Sequence, residues 1–207
     1  LTERRADELR MAIALTARDI FLAEGSTSAT VERICEAVGI APRHFPVKED
    51  VVMPLFRRFG GLSVEVLRDA PRTSDTVETL VKAFSTEVAK RGELEIDREF
   101  MSLMITDAQY RLRWLDWGQD FADPITEFLA ERVDLDGDPF ARTLPAQLVI
   151  EICRQAYVHW VEKGDFHSLE SALRAGMRMV VGALPPTVKS GPNRVSRKRN
   201  GTRGRER

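Results

Sequence analysis

Cysteine, histidine and tyrosine are scarce in this chain, with two, three and two residues in 207. Cys35 and Cys153 lie far apart on separate apolar faces and carry no second ligand at metal spacing. They read as small buried hydrophobes of a reducing compartment, which excludes a disulfide framework. His44, His159 and His167 have no His or Cys at i+3 or i+4, so no metal site is assigned. No Ser, His and Asp arrangement and no phosphate-binding glycine loop stands out, so no catalytic residue and no cofactor is assigned either. An enzyme built in the central helices has no residue in its favour. No apolar run approaches the ~20 residues of a membrane span, and the first residues are charged rather than signal-like, so a cytoplasmic protein is expected. Charge of one sign is also missing: 31 Lys and Arg against 32 Asp and Glu give a net charge of -1. That balance argues against indiscriminate coating of nucleic acid and leaves room for a local basic face. The apolar fraction of 43% is ample for a core in one medium domain, or in a small domain joined to a larger one.

What is present is helical periodicity throughout, organised around residues 30–50. Val31, Ile34, Cys35 and Val38 follow i, i+3, i+4, i+7 spacing and make one apolar stripe on a short helix. Ser28 or Thr30 can cap its start, and Gly39 follows the last apolar residue, where a left-handed residue ends a helix. Ile40 turns back toward the core, and Pro42 suits the opening of a second helix. A small residue at Cys35, a glycine four places on and an apolar residue after it are what a helix-turn-helix needs. The plainer alternative is any surface helix that ends at a glycine.

Upstream, Ile13, Ala17, Phe21 and Gly25 stand at successive steps of four, and downstream come Phe45, Pro46, Lys48, Glu49 and Asp50. Together with Thr30, Val31, Ile34 and Gly39 this order resembles the amino-terminal DNA-binding domain of the TetR (tetracycline-repressor) family of bacterial transcription regulators. The resemblance covers about the first quarter of the chain. It departs from the family pattern at one place. Family members carry further residues between the Ala-Pro-Arg and His-Phe-Pro positions, the body of the recognition helix. Here Arg43 runs straight into His44, Phe45 and Pro46. A two-turn helix needs about seven residues, and the residue before a proline is pushed out of the α region. Either the chain has a true deletion here or a few residues are missing from the sequence as written. The family register kept on both sides favours the second, and the intact mass of the purified protein separates the two.

The remaining elements follow in order. A first helix is predicted over 5–23, with Leu9, Ile13, Ala17, Ile20 and Phe21 on one face. A long helix is predicted over 48–70, with a bend expected from Pro54 and the Gly60-Gly61 pair. Asp75 and Glu78 form a capping box for a helix that Gly92 ends. Helices are expected over 96–106 and over 108–132, the latter interrupted near Pro124. Residues 134–139 read as a solvated turn, since the twelfth-position glutamate of a calcium loop is missing. Two closing helices, 144–163 and 168–184, are apolar on more than one side and contain small residues. A two-fold dimer through this pair, a four-helix bundle, buries both sides. From Pro185 on the composition turns to Gly, Ser, Asn and Arg, as expected of a disordered basic tail.

The expectation is therefore an all-α chain: a three-helix helix-turn-helix head over 1–47, a helical regulatory and dimerisation body over 48–184, and a tail over 185–207. The resemblance implies ligand-responsive transcriptional regulation, usually repression, with operator double-stranded DNA and a small-molecule effector as partners of a homodimer. Thr30, Arg43, His44 and Lys48 are the candidates for DNA contact. Arg43 would read guanine, and Lys48 and Thr30 would position on phosphate. Phe100, Met101, Met104, Trp114, Trp117, Phe121, Tyr157 and Trp160 are candidates for an apolar effector cavity, against the alternative that helical spacing makes them ordinary core. Arg98, Arg111 and Arg113 would favour an anionic ligand if they faced it. A helical small-molecule-binding dimer that has lost sequence-specific DNA reading is the alternative, favoured by the shortened turn.

Overall fold

The computed structural model describes residues 2–41, 47–135 and 137–185. Among these residues every regular element is helical and there is no strand, so the fold is all-α. Helix α1 spans Thr2–Glu24 and α2 spans Val31–Val38. Residues 42–46, which include Arg43 and His44, lie outside the described residues, as does the expected tail from 186 on. After a 3-10 turn at Lys48–Val52 come α3 (Met53–Asp69), α4 (Thr76–Arg91), α5 (Leu94–Thr106) and α6 (Ala108–Trp117). A second 3-10 turn at Gly118–Phe121 leads into α7 (Ala122–Ala130), then α8 (Pro139–Lys163) and α9 (Phe166–Ala183).

Local chemistry accounts for most of these boundaries. Thr30 caps α2, its side chain accepting from the Arg33 N–H at 3.2 Å. Gly39 closes the same helix at φ 78°, and its N–H meets the carbonyls of Cys35 and Glu36. Asp75 accepts from the Glu78 N–H at 2.9 Å at the start of α4. Pro54, expected to help bend α3, and Pro124, near which an interruption is expected, both fall in the first turn of their helices. Pro54 lies in the first turn of α3, where its missing N–H has no intrahelical partner in any case, and the helix runs unbroken to Asp69. Pro124 likewise sits early in α7, and the break falls before it, at the 3-10 turn Gly118–Phe121. Gly60, expected to weaken α3, is instead where Trp117 packs. A Cβ there would lie 2.5 Å from the indole and 2.9 Å from the Phe121 ring. The last helix pair begins earlier than the apolar pattern suggested, and α8 contains the buried Pro145 within its first turns.

Two apolar cores result. One gathers Leu80, Val81 and Phe84 of α4 with Ile125 and Leu129 of α7, Val149 and Trp160 of α8, and Leu169, Leu173 and Met177 of α9. The other holds Ile13, Ala17 and Phe21 of α1 and Ile34 of α2 against Val51, Leu55 and Phe56, and extends to Phe100, Met104, Tyr110 and Trp114 of α5 and α6. The head-side helices therefore share their core with α5 and α6. Trp117 and Tyr157 pack against both cores and mark the seam between them.

Candidate functional site

The seam holds an apolar cavity of about 110 Å³. Phe56 and Phe59 of α3, Phe84 of α4, Phe100 and Met101 of α5, Trp114 and Trp117 of α6, Phe121, and Tyr157 and Trp160 of α8 supply most of its wall. The helices converge here because each presents its apolar stripe inward, as large rings at single-turn spacing must. The rings are ordered among themselves. Trp117 stacks on Phe56 with centroids 5.4 Å apart and meets Phe121 edge-on at 4.9 Å. Phe121 meets Phe84 edge-on at 5.5 Å. The Tyr157 hydroxyl donates to the Phe84 carbonyl at 2.9 Å, tying α8 to α4 across the cavity.

Of the residues the sequence nominated for such a cavity, Phe100, Met101, Trp114, Trp117, Phe121, Tyr157 and Trp160 line it together. Met104 does not. It is fully buried in the head-side core, one turn beyond the wall. None of Arg98, Arg111 and Arg113 reaches the cavity: Arg98 pairs with Glu95 at 2.8 Å, and Arg113 with Asp50 at 3.2 Å. The charged groups that do line it are Asp97 and Arg154, neither of which was a candidate. The signal for Arg154 was present in the sequence. It stands within Ile150, Cys153, Tyr157 and Trp160, a cation on an otherwise apolar helical face. Cys153 also lines the cavity, and desolvation raises its pKa well above the ordinary thiol value, so it is a neutral thiol there.

The head is joined to the cavity wall through the start of α6. Asp107 caps α6 with Oδ1, which accepts from the N–H groups of Gln109 at 2.8 Å and Tyr110 at 3.2 Å. Its Oδ2 accepts from the Thr27 hydroxyl at 2.6 Å, in the segment that leads into α2. The Thr27 hydroxyl lowers the Asp107 pKa most, with help from the Tyr110 and Gln109 amides and the Lys48 ammonium, against an opposing desolvation. Lys48 Nζ donates to the Thr27 carbonyl at 2.5 Å. Tyr110 meets the Phe21 ring of α1 edge-on at 5.6 Å. Of the four candidates for DNA contact, Thr30 is thus an exposed helix cap, Lys48 is tied to Thr27, and Arg43 and His44 lie outside the described residues.

Among the described residues no group of three or more His, Cys, Asp or Glu side chains could hold a metal ion, and no helix is long and apolar enough to cross a membrane.

Similar proteins share this architecture. Residues 73–185, just over half of the chain, match a family model described as the MftR C-terminal domain, within the TetR carboxy-terminal domains. The HTH-type transcriptional regulator TcmR of Streptomyces glaucescens is 26% identical over 151 residues, which cover 67% of each chain. The SmeT–triclosan complex superposes with a TM-score of 0.60 at 15% identity, over 86% of this chain and 92% of that one. NalD of Pseudomonas aeruginosa, the secondary repressor of the MexAB-OprM multidrug efflux pump, does so with a TM-score of 0.56 at 15% identity, over 88% and 98%. These two likenesses bear on the fold alone, whereas the matched domain fixes the family: the chain belongs to the TetR family of transcriptional regulators.

Proposed function

We propose that the protein is a homodimeric repressor that binds operator DNA through its amino-terminal head and is released by a small molecule held in the seam cavity. One observation carries this reading. Helix α6 supplies Trp114 and Trp117 to the cavity wall, and the residue that caps the same helix, Asp107, is bonded to Thr27 beside the head. A ligand that shifts α6 therefore acts on the segment that positions α2.

On this reading each subunit sets one recognition segment in the major groove, with half-sites about one helical turn apart or more. Arg43 is the base-reading residue, through guanine O6 and N7, and His44 is a further DNA-contact candidate. Thr30 and Lys48 position on phosphate, Lys48 with the donors it does not give to Thr27. The dimer forms through α8 and α9, whose outward faces keep large apolar side chains in water: Phe140 is 73% exposed and Met179 77%. The complex acts in the cytoplasm, where the DNA is.

Selection of bound fragments from a random DNA pool at two salt concentrations tests this. A two-fold symmetric motif that persists at the higher salt is expected. Salt-sensitive binding with no motif would mean that only non-specific charge attraction acts. With the motif in hand, Arg43→Ala is expected to weaken binding by about 1–3 kcal/mol and to relax one base position. An unchanged base preference in that variant would remove Arg43 from the reading role.

A further inference from the structure

The cavity wall is apolar and aromatic except at a few points, and the polar groups differ in what they still offer. The Tyr157 hydroxyl already donates to the Phe84 carbonyl, and Ser63 Oγ lies 3.5 Å from the Phe59 carbonyl. Asp97, 4% exposed, has an interaction partner of its own. Arg154 is different. Its Nη2 donates to the Leu115 carbonyl at 2.5 Å, in the last turn of α6. Its Nη1 lies 3.5 Å from Glu151, a residue more than half exposed. Between them Nε is buried and has no partner among the described residues.

The guanidinium is held there by shape. Gly118 follows α6 and lines the same cavity, and a Cβ on it would lie 3.1 Å from Arg154 Nη2 and 3.4 Å from Nε. The absence of that carbon lets the planar group lie close along the turn. A permanent cation on an apolar wall rewards an anionic oxygen brought to it more than an exposed one would. The neighbouring Cys153 is a neutral thiol and puts no opposing charge beside it. The Phe56, Trp117 and Phe121 rings pack on one another and give the cavity an aromatic wall.

We infer that the seam cavity selects aromatic molecules that carry one acidic oxygen, with the ring system against the aromatic wall and the oxygen paired with the Arg154 guanidinium. This rests on the reading of the cavity as the effector site and names the chemistry of what it takes. Arg154 is the residue that distinguishes an anion from its neutral counterpart, and the aromatic wall serves both.

The test uses two fluorescent probes with a common aromatic frame, anilinonaphthalene sulfonate and the uncharged N-phenyl-naphthylamine. All three tryptophans of the chain line the cavity, so quenching of their emission with energy transfer to the probe reports binding at this place. The full chain is expected to bind both probes saturably and the sulfonate more tightly. Arg154→Met should weaken the sulfonate about tenfold or more, the effect of one charge-assisted hydrogen bond, and leave the uncharged probe within about twofold. Gly118→Ala keeps the charge and displaces the guanidinium by tenths of an ångström. It should lower the sulfonate preference in the same direction and keeps the test open if Arg154→Met does not fold. The exposed Arg111→Gln should change neither probe. Equal affinity for the two probes in the unaltered protein, or a sulfonate preference that survives both the Arg154 and Gly118 changes, overturns the assignment of Arg154 while leaving an effector cavity in place. Saturable binding of neither probe overturns the cavity reading itself and this inference with it.

Discussion

The two cores of this protein are assembled differently. The carboxy-terminal core closes on itself, with α4, α7, α8 and α9 each contributing to one cluster. Among the described residues the head-side core extends beyond the head. Val51, Leu55 and Phe56 pack on α1 and α2, and Phe100, Met104, Tyr110 and Trp114 of α5 and α6 complete the cluster. Among the described residues, the apolar faces of α1 and α2 are thus buried in part by side chains of the body. The same α5 and α6 that lend their apolar residues also wall the cavity. Whatever fills the cavity therefore meets side chains on which the head depends.

The largest expected effect sharpens that comparison. Phe21 is fully buried in the head-side core against Tyr110. Phe21→Ala should cost about 3–5 kcal/mol. Because every tryptophan lies at the cavity, tryptophan emission during denaturation reports the seam between the two cores. Its midpoint should fall together with the helical signal in one transition. A tryptophan transition that stays where it was while helicity is lost earlier would show that the head melts independently, and the shared core would then carry no coupling.

A smaller effect is expected at the seam. Gly60→Val forces a side chain against Trp117 and Phe121, where even a Cβ falls at 2.5 Å and 2.9 Å. Overpacking of this kind should destabilise by about 1–3 kcal/mol and narrow the cavity. Unchanged stability in denaturant titration would mean that Trp117 has somewhere else to go.

The smallest is at the joint. Asp107→Ala removes a helix cap and the acceptor of the Thr27 hydroxyl, for about 1 kcal/mol at neutral pH. The folded pKa of Asp107 lies below its ordinary value of 3.8. Its contribution is therefore fully present above that value and is lost as pH falls through the lower folded one. The stability difference between the two proteins should hold at neutral pH and shrink only in the acid range. A difference that instead disappears as pH rises would assign the effect to another group.

Much of this was legible in the sequence wherever the determinant is local. Thr30, Gly39, Asp75 and Gly92 mark helix ends through side-chain acceptors and left-handed residues, and the helices end there. Most of the cavity wall was legible too, because Met and aromatic residues at helical spacing must turn inward together. The exceptions are instructive. The interruption expected near Pro124 is present just before it, at Gly118–Phe121, whereas Pro54 sits in the first turn of α3, where its missing N–H has no intrahelical partner and breaks nothing. Met104 shares a face and a core with Phe100, but it lies one turn further along α5, past the cavity wall. Even on an apolar face, Arg154 cannot be told in the sequence from an ordinary solvated helix arginine, because the carbonyl and the glycine that hold it come from α6 and the turn after it. The division into two cores could not be read at all, since the sharing of α5 and α6 is a property of topology rather than of any segment.

The most direct test of the account is whether the cavity and the DNA compete for the same protein. The affinity of N-phenyl-naphthylamine, followed by tryptophan energy transfer, would be measured with and without a saturating amount of the selected DNA fragment. Coupling through α6 predicts weaker probe binding on DNA, by about fivefold or more, and by reciprocity an equal loss of DNA affinity when the probe is saturating. Identical probe affinities in the two conditions would contradict it, and would leave a cavity and a DNA-binding head that share one chain without communicating.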